Sequence, residues 1–276
     1  MRSPTFLILG TQKSGTKSAI YHLNQHPDIN ILDHETKKFI TDQITDEEYE
    51  KLFDNNKKQT GEKTPEYMLL KESIDKIYNY NPNIKLIIFL RNPIYRAHSQ
   101  YKMIKLRNER NKVPFKLSYK QFLKKNMNDK KIKPPDNISK YYCYQRGNYF
   151  EQLKYIYSKF DHNLIKIIIS EKVIKNPLRQ YNKIFSFLNL KKLTKDEFKY
   201  KRHIHSAKNK KLLDIDNYIY TRNLYLNSIK KLYELLGSPI NIWEKDFKNR
   251  VVNHNKKVQN KNKNKKKLNI NPKKYI

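Results

Sequence analysis

The stretch Phe6–Leu7–Ile8–Leu9–Gly10–Thr11–Gln12–Lys13–Ser14–Gly15–Thr16–Lys17–Ser18 constrains this chain most. An apolar strand runs into a hydroxyl-rich loop, and a helix follows. The chain has only five glycines, and Gly10 and Gly15 bracket this loop. Glycine lets a backbone turn sharply and lets its N–H groups approach a ligand closely. The start of the helix adds unpaired N–H donors and the positive end of a dipole. With the charge of Lys13, the segment reads as a phosphate-binding turn, so the chain is expected to bind a nucleotide or another phosphorylated ligand. The loop approaches the P-loop pattern G-x-x-x-x-G-K-[ST] without matching it. Gly10 and Gly15 have the right separation, but Thr16 stands at the lysine position, with Lys17 one residue late and Lys13 inside the loop.

A second apolar strand, Lys85–Leu86–Ile87–Ile88–Phe89–Leu90, ends on Arg91–Asn92–Pro93. Pro93 suits the first turn of a helix, on which Arg96, Ser99 and Gln100 would lie. Arg91 and Ser99 thus place a guanidinium and a hydroxyl about two turns apart at one strand end. Between the two strands, Gly61–Glu62–Lys63–Thr64–Pro65–Glu66–Tyr67 reads as a second polar loop carrying a lysine.

These segments resemble the sulfotransferase superfamily that uses 3′-phosphoadenosine-5′-phosphosulfate (PAPS), most closely its heparan-sulfate, carbohydrate-modifying branch. Gly10–Thr16 is similar to that family's 5′-phosphosulfate loop. Arg91–Asn92–Pro93 with Arg96 and Ser99 is similar to its 3′-phosphate motif R-D-P-x-x-R-x-x-S. Gly61–Tyr67 is similar to its E-K-T-P-x-Y segment, and Asn24–Ile29 to its L-x-x-H-P-D-V stretch. Gly147–Leu153 resembles its G-x-Y-x-x-x-L helix start, and Ser186–Leu190 its F-L-G-L segment. The motifs follow the family's order along most of the chain.

The resemblance implies roles. Lys13, Ser14, Gly15, Thr16, Lys17 and Ser18 would hold the 5′-phosphosulfate, and Arg91 and Ser99 the 3′-phosphate. Glu35 falls where the family has its catalytic base, counted from His26–Pro27–Asp28; Lys37 replaces the family's usual histidine two residues later. His34 is the alternative base. Lys13 would stabilise the leaving group, and Lys63 resembles a second active-site lysine. His205–Lys210 occupies the place of the family's S-K-G-R-x-H-P loop without its glycine or arginine, and Lys208 or Lys210 would touch the 3′-phosphate. Sulfuryl transfer needs positioned partners, stabilised charge and a proton acceptor. No metal is expected, and His203 and His205 form no ligand cluster.

The expected fold is α/β: a mostly parallel sheet with helices on both faces and a P-loop-like strand–loop–helix. Strands are expected at Thr5–Leu9, Ile29–Leu32, Ile84–Leu90 and Leu164–Ile169. Helices are expected at Thr16–Gln25, Asp46–Phe53, Glu66–Tyr80, Ile94–Leu106, Gln145–Phe160, Asn176–Leu188 and Ile215–Leu236. The last ends at Gly237, a C-terminal signal. Residues 1–245 would form one domain. Within it, Arg107–Lys140 is a basic insertion with a helix at Ser118–Lys125. That insertion and the run Tyr141–Tyr142–Cys143–Tyr144 are expected to line or cover the acceptor cleft.

The net charge of +33 suits an anionic cofactor, PAPS with its product 3′-phosphoadenosine-5′-phosphate (PAP), and an anionic glycan acceptor. Much of the charge sits in residues 246–276, a tail expected to stay unpacked, solvated or docked on a polyanion or membrane surface. The single Cys143 excludes an intrachain disulfide. No run of 18 apolar residues or signal-peptide region is visible, so a soluble, cytoplasmic setting, viral or host-cell, is expected. Two other readings stay open: a P-loop-like kinase of a nucleoside or small molecule, disfavoured by the late Lys17, and a non-catalytic polyanion-binding protein on this scaffold.

Overall fold

The computed structural model describes residues 3–41, 43–54, 56–127, 142–201 and 213–268, with side chains as far as Lys256. Strand β1 (Phe6–Gly10) leads into helix α1 (Thr16–Leu23), then β2 (Ile29–Ile31), α2 (Asp46–Glu50), β3 (Gln59–Lys63), α3 (Lys71–Tyr80) and β4 (Lys85–Leu90). Next come α4 (Pro93–Arg110), α5 (Tyr119–Met127), α6 (Cys143–Gly147), α7 (Tyr149–Tyr157), β5 (Ile165–Ile169), α8 (Ser170–Lys175), α9 (Pro177–Phe187), α10 (Ile215–Leu235) and α11 (Asn241–Leu268). The strands form one sheet in the order β2-β3-β1-β4-β5, and every pairing is parallel.

Side chains alternate across each strand, and both faces of this sheet are apolar. Leu7 and Leu9 join Leu86, Ile88 and Leu90 on one face, packed against α3 and α7. Phe6 and Ile8 join Ile87, Phe89 and Ile168 on the other, packed against α1 and α9. A third cluster binds α4, α5, α6 and α10 beside the sheet through Ala97, Phe122, Cys143 and Tyr225. The chain steps from β1 to β2 and β3 on one side, then to β4 and β5 on the other. The order therefore reverses at β1 and β4, where parallel sheets open a crevice at their carboxyl ends.

Several sequence expectations change. Gly61–Lys63 is not a loop but the last three residues of β3, which lies between β2 and β1. The strand has no large apolar residue, yet Thr60, Gly61, Glu62 and Lys63 are all buried. Glu66–Tyr80 divides into a 3-10 turn at Tyr67–Leu69 and α3. Helix α4 runs on into the expected insertion, to Arg110. Helix α11 runs across the expected boundary at residue 245, and its backbone is helical to Leu268. Trp243 is buried, Asp246 accepts from the Tyr95 and Tyr218 hydroxyls, and Arg250 Nη1 donates to Leu213 O. These polar anchors give the helix a seat that its low apolar content does not announce.

At Gly61 the paired strands leave no room for a side chain. A Cβ there would lie 2.5 Å from the Phe6 carbonyl oxygen. Backbone of two paired strands cannot yield as a side chain can, so Gly61→Ala should destabilise the fold by about 2 kcal/mol or more. Urea unfolding followed by circular dichroism checks this; an unchanged midpoint would contradict the packing described.

Candidate functional site

The loop after β1 is stitched backwards onto the sheet. Thr11 N–H donates to Phe89 O at 2.7 Å, and the Thr11 and Ser14 hydroxyls pair with each other. Arg91 Nη1 donates to Lys13 O at 2.9 Å. The Ser170 hydroxyl lies 2.6 Å from Ser14 O and 2.9 Å from Leu90 O. In a trans peptide, C=O and N–H point in opposite directions. Tying Ser14 O to Ser170 therefore turns the Gly15 N–H outward, beside the first N–H groups of α1, which have no intrahelical partner. Gly15 caps α1 in the left-handed region, φ 91°, a conformation glycine adopts without strain. The loop is thus a donor-lined cradle in which the Lys13 and Ser14 carbonyls are already satisfied.

The second wall comes from β4 and α4. Asn92 caps α4, its side chain accepting from Ile94 N–H, and Pro93 opens the helix. Arg91 is held at its backbone by the Tyr149 hydroxyl, which donates to Arg91 O at 2.7 Å. Glu171 accepts from Asn92 N–H at 2.9 Å through one oxygen and from Trp243 Nε1 at 2.9 Å through the other. The first turn of α11 thereby braces the Arg91 loop. Arg96 has a different place: it is fully buried and donates to Gln100 Oε1 and to Cys143 O and Sγ. It ties α4 to α6 and does not line the cleft.

The third wall carries the only carboxylate among the described cleft-lining residues. Glu35 forms an ion pair with Lys63, which is buried where Glu35 reaches solvent. Next to Lys63, Glu62 has no exposed surface and collects five donors. The Tyr67, Tyr49 and Thr64 hydroxyls reach it at 2.7, 3.0 and 3.0 Å. Thr36 Oγ1 and Thr36 N–H reach it at 2.8 and 3.3 Å. Thr36 adjoins Glu35, so a buried carboxylate at the end of β3 fixes the backbone that presents Glu35. His34, the alternative base, points elsewhere: it is exposed and pairs with Asp33.

Together these walls enclose a cleft of about 480 Å³ at the carboxyl ends of the strands. Lys13, Ser14, Gly15, Thr16, Lys17, Ser18, Glu35, Lys63, Arg91 and Ser99 all line it. Its far end is aromatic and apolar: His22, Tyr181, Tyr200, Val173 and Ile174. Sequence reasoning missed this end, because its residues come from α1, α8, α9 and the following connection without a local motif. His22 stacks on Tyr181 and Tyr200, with ring centroids 4.7 and 5.2 Å away. Its Nδ1 meets Ser18 O at 2.7 Å and its Nε2 accepts from Lys201 N–H at 3.1 Å, which fixes the ring edge-on to α1.

The cleft is positively charged. Burial, then Arg91 and Arg96, lowers the pKa of Lys13. Burial also lowers that of Arg91, against the pull of Glu171. His98, on α4, is pushed down to about 4 by burial, then by Lys102 and Arg91. Confining cations this way raises the affinity for an anion that relieves them. Lys208, Lys210, His203 and His205 lie outside the described residues, as do residues 128–141 of the expected insertion. Its described part does not line the cleft; α5 packs through Tyr119, Phe122 and Leu123 into the helical cluster. Tyr144, expected at the acceptor cleft, stacks on Tyr225. Among the described residues no group of three His, Cys, Asp or Glu is placed to hold a metal ion, and no helix is long and apolar enough to cross a membrane.

Comparison with known proteins gives a consistent answer. Heparan sulfate glucosamine 3-O-sulfotransferase 5 of Homo sapiens is 28% identical over 200 residues, covering 68% of this chain and 54% of that protein. Heparan sulfate glucosamine 3-O-sulfotransferase 6 of Homo sapiens is 26% identical over 197 residues, covering 70% and 54%. The membrane-associated sulfotransferase kil1 of Dictyostelium discoideum is 35% identical over 123 residues, covering 40% and 25%. The chain spans about half the length of the 3-O-sulfotransferases it matches. The crystal structure of a sulfotransferase from Alicyclobacillus acidocaldarius shares the fold, with a TM-score of 0.71 over 88% of this chain and all of that one, at 22% identity. The family described as "Sulfotransferase domain" matches residues 3–224, and with the strand-end cradle, the Arg91 wall and the order of motifs in place, the chain belongs to that family.

Proposed function

We propose that the chain transfers a sulfuryl group from PAPS to a carbohydrate hydroxyl or amine, with Glu35 as the proton acceptor. The observation that carries this reading is the convergence on one cleft of Lys13, Lys63, Arg91, Ser99 and a single carboxylate, Glu35. The cleft's two ends fit a nucleotide carrying two anionic groups: a donor-lined, cationic end and an aromatic end. When bound, PAPS supplies an activated sulfuryl group on a phosphate that can leave.

The chain's own residues divide the remaining work. Gly15 N–H, the first N–H groups of α1 and the Ser14, Thr16 and Ser18 side chains would hold the 5′-phosphosulfate. Arg91 and Ser99 would clamp the 3′-phosphate, the guanidinium through its planar fork. His22, Tyr181 and Tyr200 would wall the purine. Lys13 and Lys63 would face the charge that grows on the bridging oxygen, in a partly buried site where such charges act strongly. Glu35 would take the acceptor proton, its backbone set by the Thr36–Glu62 contacts.

The 3-O-sulfotransferase relatives are named for action on heparan sulfate glucosamine, which supports a sugar hydroxyl as acceptor. The net charge of +33 supports an anionic one, and the basic run at the end of α11 would add long-range attraction.

Calorimetric titration tests the donor site. PAP should bind more tightly than ATP, and Arg91→Ala should lower PAP affinity by about 30-fold or more, as expected when a charge-paired group is removed. Tight binding of ATP alone would move the chain to a kinase reading. Glu35→Gln should cut kcat by about 10²–10⁴-fold, the usual range for a general base, and leave PAP affinity intact. Thr36→Val should cut kcat about 10-fold through misplacement of Glu35, again without changing PAP affinity, and Thr36→Ser should restore it. Equal losses in PAP binding would instead mark Thr36 as merely structural.

A further inference from the structure

A second basic surface lies outside the cleft. Helix α9 and the outer strand β5 flank a groove of about 700 Å³, lined by Lys166, Arg179, Lys183 and Lys192 over an apolar floor of Leu178 and Phe187. Asn176 begins it, two residues after Ile174 of the cleft wall. Among the described residues the groove contains no carboxylate, and none of its four cations is in an ion pair. The charges felt by Lys183 are those of Arg179, Lys172 and Lys166, all positive, and with burial as the larger cause they lower its pKa.

Two features of this cluster run against local stability. Odd-numbered isoleucines of β5 face the α3–α7 side and Ile168 faces the α1–α9 side, so Lys166 sits on an inward face. An inward lysine protects an edge strand from pairing with another chain, and that accounts for one cation. It does not account for Arg179 and Lys183, like charges one turn apart on α9, a spacing that weakens a helix. A repulsive arrangement kept over an apolar floor fits a bound anion that relieves it.

We propose that this groove is an anchoring site for an anionic polysaccharide chain, separate from the transfer site. Its four cations, with no carboxylate among the described lining residues, complement a chain of repeated anionic groups. Single-stranded nucleic acid asks for free aromatic platforms. Phe187 offers a poor one: the ammonium groups of Lys85 and Lys166 lie 5.4 and 5.9 Å from its ring centroid. Sulfate and carboxylate groups would meet the four cations, including Lys166 where it lies over Phe187, and the carbon faces of sugar rings would meet Leu178. A chain anchored here raises its own effective concentration at the neighbouring cleft. The proposal rests on the carbohydrate reading of the acceptor, but its test does not need turnover.

The full-length protein is titrated with a heparin decasaccharide over a range of salt concentrations. Arg179→Glu/Lys183→Glu should weaken binding at least tenfold and lower the salt slope, with PAP affinity unchanged as proof of an intact fold. Lys230→Glu/Lys231→Glu, an equal charge change on exposed positions of α10, is the control and should have a smaller effect. Equal losses in both double variants would overturn the proposal, since attraction would then be unlocalised. No loss in the groove variant would also overturn it. So would tighter binding of a uridine dodecanucleotide that the groove substitutions abolish. If wild-type protein fails to bind PAP but the groove variant loses the decasaccharide, the transfer reading fails and the anchoring site stands.

Discussion

The site depends on how the loop after β1 is tied to the ends of β4 and β5. Arg91 takes the Lys13 carbonyl and Ser170 the Ser14 carbonyl. Were these carbonyls turned forward, the same loop would present acceptors and repel a phosphate. The two ties also set the spacing between the loop and the Arg91 wall, because the residue that would clamp one anionic group also holds the cradle of the other. The sheet makes this possible: β1 and β4 are neighbours, and the chain's direction of travel reverses between them.

A ring of support stands behind these contacts. Tyr149 fixes the Arg91 backbone, and Glu171 joins Asn92 to Trp243. Arg96, fully buried, ties α4 to α6. Helix α11 is therefore part of the site's architecture although none of its described side chains lines the cleft. Removing a charge partner from inside such a network leaves a buried polar group unmatched, which is costly.

The parts legible in the sequence were those with a local signature. The apolar runs of β1 and β4, the Gly10–Gly15 spacing and the Asn92–Pro93 helix start each declare themselves within a few residues. β3 could not be read this way: Gln59–Thr60–Gly61–Glu62–Lys63 has a loop's composition and is buried because hydroxyls from α2, the 3-10 turn and the Thr36 segment satisfy Glu62. The aromatic end of the cleft was illegible for a related reason. His22, Tyr181 and Tyr200 meet only in three dimensions, and each alone looks like an ordinary helix or loop residue. The seat of α11 rests on single polar anchors, Asp246 and Arg250, which a reading by hydrophobic period passes over. The proposed roles of Glu35 and Lys63 came from a resemblance, and the geometry adds the reason they meet: consecutive residues of one strand, Glu62 and Lys63, hold the Thr36 backbone and the Glu35 carboxylate.

That pairing has a consequence for how the two halves of the site respond to ionic strength. The cradle and Arg91 would hold their ligand by charge at a partly open cleft, an attraction that mobile ions screen over a Debye length of about 8 Å at physiological salt. The Glu35 segment is held by neutral hydroxyls and an N–H on a carboxylate with no exposed surface, beyond the reach of such screening. Salt would thus loosen retention of the nucleotide while leaving the backbone that presents the base in place, so occupancy and the position of that segment are set by separate physical controls in one cleft.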